Sequence, residues 1–449
     1  MLYQIHTAPL ARKAEIDLPA SKSLSNRALI LKALSGGSGS LSHLSDSDDT
    51  HVMQAAFDGD HTLVDIGAAG TSMRFLTAYY ASTPGAEVTL TGSERMKQRP
   101  IAILVDALRS LGADIRYTEA EGFPPLHICG KQLRGGALTI DGSTSSQYIS
   151  ALLMIAPTLT DGLTLHLTGQ ITSRPYIDMT LSMMRRFGAK CTMEGPVITV
   201  SSRAYVPADL SVESDWSAAS YWYELLALCH YGKVASGLQD GALCKAASML
   251  QDKVFSKTSG SQDFALSEVT LLGLHPDSLQ GDSRVSEYFA ELGIATRFTD
   301  RGAVLSAMDQ PLPTEVCWNL AGQPDLAQTL IVTCCALDVR FRISGLHTLR
   351  IKETDRITAL QTELRRLGFV VGAEGDDVMY WNGERCESQC TVVISTYRDH
   401  RMALAFAPMA LCLHHDALYV DDPGVVSKSY PAYWDHLRQI GLSVSEAKL

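Results

Sequence analysis

No run of apolar residues in this 449-residue sequence is long enough to cross a bilayer. The longest, Ala151–Pro157 and Ala403–Leu413, fall well short of the ~20 residues a span needs and read instead as buried helices. The first residues lack the basic region and apolar core of a secretory signal, so a cytoplasmic protein is expected, with no membrane partner. The ten cysteines show no metal-ligand spacing: Cys334 and Cys335 are adjacent within an apolar run, and Cys386 and Cys390 have no second Cys or His pair nearby. Reduced structural thiols are the expectation, and no metal. Positive charge is scarce too. With 38 Lys and Arg against 49 Asp and Glu the net charge is −11, which argues against a nucleic-acid partner, since such binding rests on cationic patches. An anionic small substrate stays open, because a cleft can concentrate its own cations against an acidic exterior. Low-complexity segments and charge blocks are also missing, and the glycine- and serine-rich 36–40 is only a loop. What remains is a soluble globular composition, 46% apolar and 19% charged, in a chain too long for one ordinary domain.

A repeat organises it. Amphipathic segments ending in glycine recur, among them RPIAILVDALRSLGA, RPYIDMTLSMMRRFGA and DRITALQTELRRLGF, and their terminal glycines are Gly112, Gly188, Gly293, Gly368 and Gly441. The spacings are 76, 105, 75 and 73, a period broken by one insertion between 230 and 280. Glycine suits the left-handed residue that closes a helix. Upstream of each lies a helix with a polar head and an almost wholly apolar body, such as TSMRFLTAYYA, SSQYISALLMIA, SAASYWYELLAL, DLAQTLIVTCCAL and HRMALAFAPMAL. Such bodies are enclosed by other elements. An opening pair, SLSNRALILKAL and DDTHVMQAAF, completes six units, and short β-type runs lie between them: EVTLTG, LTLHLTG, VITVSS and RFRISG. Six units of strands plus one buried and one exposed helix predict an α/β protein of two three-unit domains, changing near Val206–Asp215.

The polar heads carry the chemistry. Backbone N–H groups at a helix N-terminus attract anions, and here they stand beside Lys22, Ser23 and Arg27, Gly70, Thr71 and Arg74, Ser145, Ser146 and Gln147, Asp325, and Asp399, His400 and Arg401. Loops into the exposed helices add Arg99, Ser173, Arg174, Lys352, Glu353 and Arg356. Singly, each has a plainer reading: a serine pair as a cap, Arg before Pro as a solvated loop residue, KETDR as a helix start with its own ion pairs. Repetition at one structural place favours an anion-binding cleft.

The strings LPASKSLSNRALIL, AGTSMRFLT, GSERMKQRPI, GSTSSQYISALLMIAP, TSRPYIDMT, RIKETDRI, YRDHRMALAF and SKSYPAYWDHL resemble, in order from about Pro19 to Leu437, the 5-enolpyruvylshikimate-3-phosphate synthases. The resemblance is weakest at 40–66 and 230–315. It implies the two-domain enolpyruvyl transferase fold, each domain of three βαβαββ units, with domains 21–214 and 1–20 plus 215–449 and the active site in the interdomain cleft. It implies transfer of the enolpyruvyl group of phosphoenolpyruvate to the 5-hydroxyl of shikimate 3-phosphate, with release of phosphate, no cofactor, no metal, and a monomer. Such chemistry demands an acid/base pair in a field of cations.

The resemblance assigns Asp325 to the 5-hydroxyl proton and Glu353 to the methylene proton, with Lys22 beside both. Phosphoenolpyruvate would meet Lys22, Gly70, Arg99, Gln147, Arg356, Arg401 and Lys428, and shikimate 3-phosphate Lys22, Ser23, Arg27, Ser145, Ser146, Gln147, Ser173, Asp325 and Lys352. Glycine at 70 is expected so that the ligand can approach the backbone. Two residues depart from the family's pattern: Ala68 stands where an asparagine is usual, and Thr348 replaces an asparagine on the shikimate-phosphate side. The segment 44–66 is also short, as if a strand pair were deleted. The resemblance implies inhibition by glyphosate at the phosphoenolpyruvate site, weakened by Ala68. Two alternatives stand beside this reading: a non-catalytic anion-binding relative, and a UDP-N-acetylglucosamine enolpyruvyl transferase. The latter typically has an asparagine after its early lysine and a loop cysteine, where this chain has Ser23 and no cysteine between Gly92 and Arg99.

Overall fold

The five glycine stops fall where the helices end. Gly112, Gly188, Gly293, Gly368 and Gly441 all take positive φ, each two residues beyond the last helical residue, Ser110, Arg186, Glu291, Arg366 and Gln439 respectively. The residue between is apolar and buried in every case: Leu111, Phe187, Leu292, Leu367 and Ile440. At 112, 188, 368 and 441 the residue after the glycine reaches back to close the turn, as in Ala113 N to Leu108 O (3.0 Å) and Phe369 N to Leu364 O (2.9 Å). The last carbonyls are thus satisfied and an apolar plug seals the helix end.

The computed structural model describes residues 1–59, 61–231, 266–413 and 417–448. The insertion expected between 230 and 280 falls mostly on 232–265, outside the described residues. The chain divides into two compact units. An inserted unit comprises Ala20–Ser214 with Asp277–Gly281; a terminal unit comprises Met1–Pro19, Asp215–Pro276 and Asp282–Leu449.

One sheet pattern recurs in both. In the inserted unit Leu63–Asp65 runs parallel to Glu87–Thr91, which pairs antiparallel with Leu126–Cys129, itself antiparallel to Asp114–Tyr117. The set Gly136–Asp141, Leu163–Thr168, Val197–Val200 and Cys191–Glu194 repeats that order. A parallel pair needs a crossover, and the crossover is the buried helix: Gly70–Ala81 in the first set and Ser146–Ile155 in the second. The third sheet here has two strands, Leu210–Ser211 parallel to Leu41–Ser42. The helix Asp48–Ala55 then leads to Leu63–Asp65 with no hairpin among the described residues, the counterpart of the shortness read at 44–66.

The terminal unit holds three sheets of the same kind. Lys13–Ile16 is parallel to Glu268–Leu272, and Glu315–Asn319 is parallel to Arg340–Ser344. In the last, Val392–Ile394 is parallel to Leu418–Asp421, and the chain's first strand, Leu2–His6, takes the third place between Leu418–Asp421 and Ser443–Ala447. Each unit has its own core. One gathers Phe75, Leu152 and Met184, the other Trp216, Trp222 and Phe341. No described helix is long and apolar enough to cross a membrane.

Candidate active site

In the terminal unit, three segments converge on one guanidinium. Arg356 opens the helix Arg356–Arg366 and is almost fully buried. Its Nε donates to Asp399 Oδ2 at 2.7 Å and its Nη2 to Asp399 Oδ1 at 3.3 Å, a two-point grip. Its Nη1 donates to Asp325 Oδ1 at 3.1 Å and its Nη2 to Glu353 Oε2 at 3.0 Å. Further cations hold the same two carboxylates. Arg401 Nη2 lies 3.0 Å from Asp325 Oδ2, Lys352 Nζ 3.6 Å from Asp325 Oδ1, and Lys428 Nζ 2.8 Å from Glu353 Oε1.

Exposure separates the three acids. Asp325 and Glu353 keep 21% and 16% of their side-chain surface open, whereas Asp399 keeps none. Asp399 also caps the helix His400–Phe406 by accepting from Arg401 N. It therefore anchors, while Asp325 and Glu353 present oxygens outward. Burial drives the Asp325 carboxyl up, but Arg401, Lys352 and Arg356 outweigh it and hold it well below the usual carboxylate range. Burial lowers the Lys352 ammonium, with Asp325 opposing.

The inserted unit gathers donors rather than acids. Gly70 begins the helix Gly70–Ala81, and the guanidinium of Arg99 lies over it: a Cβ at Gly70 would sit 2.6 Å from Arg99 Nη1. The missing Cβ at Gly70 therefore also leaves room for the Arg99 guanidinium. Among the described residues Arg99 makes no ion pair, and its Nε has no hydrogen-bond partner. A cation placed against the positive end of a helix calls for an anion between them. The Arg99 loop is fixed from behind, by Arg74 Nη2 on Pro100 O (3.3 Å) and by the Tyr148 hydroxyl on the same carbonyl. Arg74, one of the polar-head cations, thus acts structurally.

Gln147 Nε2 donates to Thr71 Oγ1 at 3.1 Å, tying the starts of helices Ser146–Ile155 and Gly70–Ala81 together. Ser145 caps its helix by accepting from Gln147 N, and Ser146 follows it, mostly buried. Ser173, at the start of Arg174–Arg186, takes a left-handed φ of 53°, a conformation a serine holds only when its surroundings impose it. Lys22, first residue of Lys22–Leu34, pairs with Asp49 at 3.2 Å. Arg27 is buried: Nε donates to Thr180 Oγ1 at 2.7 Å, Nη2 to Ser150 Oγ at 3.1 Å and Nη1 to Ser23 O at 2.9 Å. Desolvation lowers its pKa to about 10. In this structure Arg27 holds Ser23 from behind.

The departures can be placed as well. Ala68 is exposed, on the turn between Asp65 and Gly70. Thr348 Oγ1 is buried without a hydrogen-bond partner.

Sequence reasoning missed Asp49, Ser217, Tyr221 and Asp282. Arg401 donates to the Tyr221 hydroxyl at 3.3 Å and to Ser217 Oγ at 3.4 Å, and Ser217 donates to Asp282. Asp282 is buried with Oδ1 unpartnered, and burial, with Asp325 nearby, pushes its carboxyl up to about 7. Its signal was present: it sits in the 3-10 turn Gly281–Arg284 that runs into the exposed helix Val285–Glu291, the place that supplies charge in other units.

Comparisons with known proteins agree with one another. The family model described as EPSP synthase (3-phosphoshikimate 1-carboxyvinyltransferase) matches residues 55–235 and 265–437. A 3-phosphoshikimate 1-carboxyvinyltransferase of Bacteroides fragilis is 49% identical over 439 residues, covering 98% of each chain. One from Vibrio atlanticus is 34% identical, covering 95% of this chain and 97% of its own. The solved EPSP synthase of Acinetobacter baumannii superposes with a TM-score of 0.73, covering 99% of this chain and 100% of that one at 19% identity, a likeness of fold. With the family model spanning most of the sequence and a relative nearly half identical along almost its whole length, this chain belongs to the EPSP synthase family.

Proposed function

We propose that this chain transfers the enolpyruvyl group of phosphoenolpyruvate to the 5-hydroxyl of shikimate 3-phosphate and releases phosphate. The observation that carries the reading is the pair of partly open carboxylates, Asp325 and Glu353, locked by Arg356 among Lys352, Arg401 and Lys428. Binding an anion needs cations only. Two acids placed beside them suit a reaction that moves two protons.

In the addition half, the methylene carbon of phosphoenolpyruvate takes a proton from Glu353. Its C2 becomes cation-like, and the 5-hydroxyl oxygen attacks it while Asp325 accepts the hydroxyl proton. In the elimination half the bond from C2 to the phosphate oxygen breaks, Asp325 returns its proton to the leaving phosphate, and Glu353 takes one from the methyl group to restore the double bond. Lys428, 2.8 Å from Glu353, favours the ionised form that the first half leaves and the second half uses as its base. Asp325, held strongly ionised, is a weak base until substrate anions share Arg401 and Lys352 and loosen their hold on it.

The domains 21–214 and 1–20 with 215–449 each contribute. In the first, Lys22, Gly70, Arg99 and Gln147 receive phosphoenolpyruvate, and Ser23, Arg27, Ser145, Ser146 and Ser173 receive shikimate 3-phosphate. One chain carries every group named, so a monomer suffices. Nine described cysteines are free thiols, which fits a reducing cytoplasm. Phosphate release from phosphoenolpyruvate should depend on added shikimate 3-phosphate. Release that requires UDP-N-acetylglucosamine instead, or no release with either acceptor, overturns the reading.

A further inference from the structure

The sheet that contains Glu87–Thr91 and Leu126–Cys129 carries on its outer face a group the reaction does not use. Strand alternation sends Leu126 and Ile128 into the core and turns His127 and Cys129 to the other side. Register places Glu87 opposite Cys129 and Thr89 opposite His127, so all four share that face. Cys129 Sγ lies 3.5 Å from His127 Nε2, and Glu87 Oε1 lies 3.8 Å from the same nitrogen. One ligand atom from each residue falls within 4.8 Å of the other two.

These spacings suit a tetrahedral ion. With Zn–S near 2.3 Å and Zn–N or Zn–O near 2.0–2.2 Å, neighbouring ligand atoms stand roughly 3.3–3.6 Å apart. The sulfur–nitrogen distance already falls there. The oxygen is a few tenths of an ångström too far, and the Glu87 side chain, 76% exposed, is free to turn. The histidine is also oriented for the task. Thr89 Oγ1 lies 3.4 Å from His127 Nδ1, placed to accept its N–H and so leave the Nε2 lone pair toward Cys129 and Glu87. On the far strand Asp114 and Arg116 face Cys129 and His127, and they pair with each other at 3.5 Å, which offsets the cation.

We propose that Glu87, His127 and Cys129 form an open site for a divalent transition metal, zinc foremost, leaving the fourth position to water or an external ligand. One thiolate, one imidazole and one carboxylate select a borderline-soft ion over magnesium or calcium, which require mostly oxygen ligands. Sequence spacing concealed it, because the ligands come from neighbouring strands as His-x-Cys plus one glutamate.

The test uses the full chain and cobalt(II) as a spectroscopic stand-in for zinc, under reducing, chelator-free conditions. One cobalt per chain should give a thiolate-to-metal charge-transfer band that zinc abolishes. Cys129→Ser should lose the band, and His127→Ala and Glu87→Gln should need more metal to reach it. Thr89→Val, which removes only the orienting acceptor, should weaken binding by roughly ten- to a hundredfold. Zinc should raise the melting temperature of the wild type and not of Cys129→Ser. An unchanged band in Cys129→Ser places the metal on other thiols and overturns the proposal, as does a wild-type chain that binds no cobalt.

Discussion

At the helix starts of the terminal unit the cations stand among carboxylates: Arg356 meets Asp399, Asp325 and Glu353, Arg401 and Lys352 meet Asp325, and Lys428 meets Glu353. The inserted unit does the reverse. Among the described residues Arg99 lies over the Gly70 helix start without an acid beside it, and hydroxyls and an amide supply further donors; Lys22 with Asp49 and Arg174 with Asp178 are paired exceptions. Both arrangements can attract phosphates, but they differ in what the groups do between turnovers. A mutually paired cluster holds its acids in place, and they exchange protons once substrate anions loosen the cations' grip. An uncompensated cation and free backbone N–H groups form a receptor, and removing one of them strands no buried opposite charge.

The comparison breaks most completely if the acids of the terminal unit are only counter-ions. Asp325→Asn and Glu353→Gln keep shape and remove proton transfer, so each should cut kcat by roughly 10²- to 10⁴-fold while shikimate 3-phosphate still binds by calorimetry. Near-normal turnover in both variants would reduce the two acids to scaffolding.

Stability sharpens the contrast next. Arg356→Met leaves the fully buried Asp399 without its two-point partner, and breaking a buried pair from one side costs about 3–5 kcal/mol. Arg99→Met strands no acid and should change stability by no more than about 0.5 kcal/mol, while raising the KM for phosphoenolpyruvate. Urea denaturation of the two variants side by side is the measurement. Equal losses would mean that Arg99 is as much a structural strut as Arg356.

Much of this was legible because the signals are local. Five glycines marked five helix ends, since only a residue at ease with positive φ closes them. The runs at 87–91, 163–168, 197–200 and 340–344 became strands. The charged heads were visible for the same reason, as residue types at a repeated place. Their partners were not. Nothing near Lys22 in sequence points to Asp49, and Arg27 reaches Thr180 and Ser150 across 153 and 123 positions. That Arg99 lies over Gly70 is visible only in three dimensions. Asp282 was passed over because its loop was read for helix periodicity alone.

Asp282 and Asp325 give the comparison a pH dependence. The Asp282 carboxyl is raised from 3.8 to about 7, so between those values the folded chain holds a proton that the unfolded chain has lost. The stability it lends is full below pH 3.8 and is lost as pH rises toward 7, by up to about 1.4 kcal/mol per pH unit. Asp325 acts oppositely: its lowered pKa lends stability above 3.8 that is lost on acidification through its folded value. Asp282→Asn keeps an oxygen for Ser217 and removes the titration, so its stability between pH 4 and 7 should fall less steeply than that of the wild type. Parallel curves for the two proteins would mean that Asp282 is already ionised, its charge met by Arg401.

The smallest effect concerns the receptor side alone. Ala68 lies exposed on the turn that delivers Gly70 to its helix, and an asparagine is usual there in the family the sequence resembles. One added neutral hydrogen bond contributes about 0.5–1.5 kcal/mol, a roughly two- to tenfold change in affinity. Ala68→Asn should therefore lower the KM for phosphoenolpyruvate by that factor, and tighten glyphosate by the same factor if glyphosate shares its contacts. The gain belongs to recognition and not to proton transfer, so kcat should hold and stability should not move. The turn is braced independently of residue 68, by Gly67 N on Asp65 Oδ1 at 2.8 Å and by Ser93 N on Gly67 O at 2.9 Å, so the substitution has a fixed platform. An unchanged KM would show that a side chain at 68 stays in solvent, and that the Gly70 start with Arg99 already supplies all the recognition this turn can give. A lower kcat would mean instead that the receptor and the acids are coupled, and that the division of labour drawn between the two units fails.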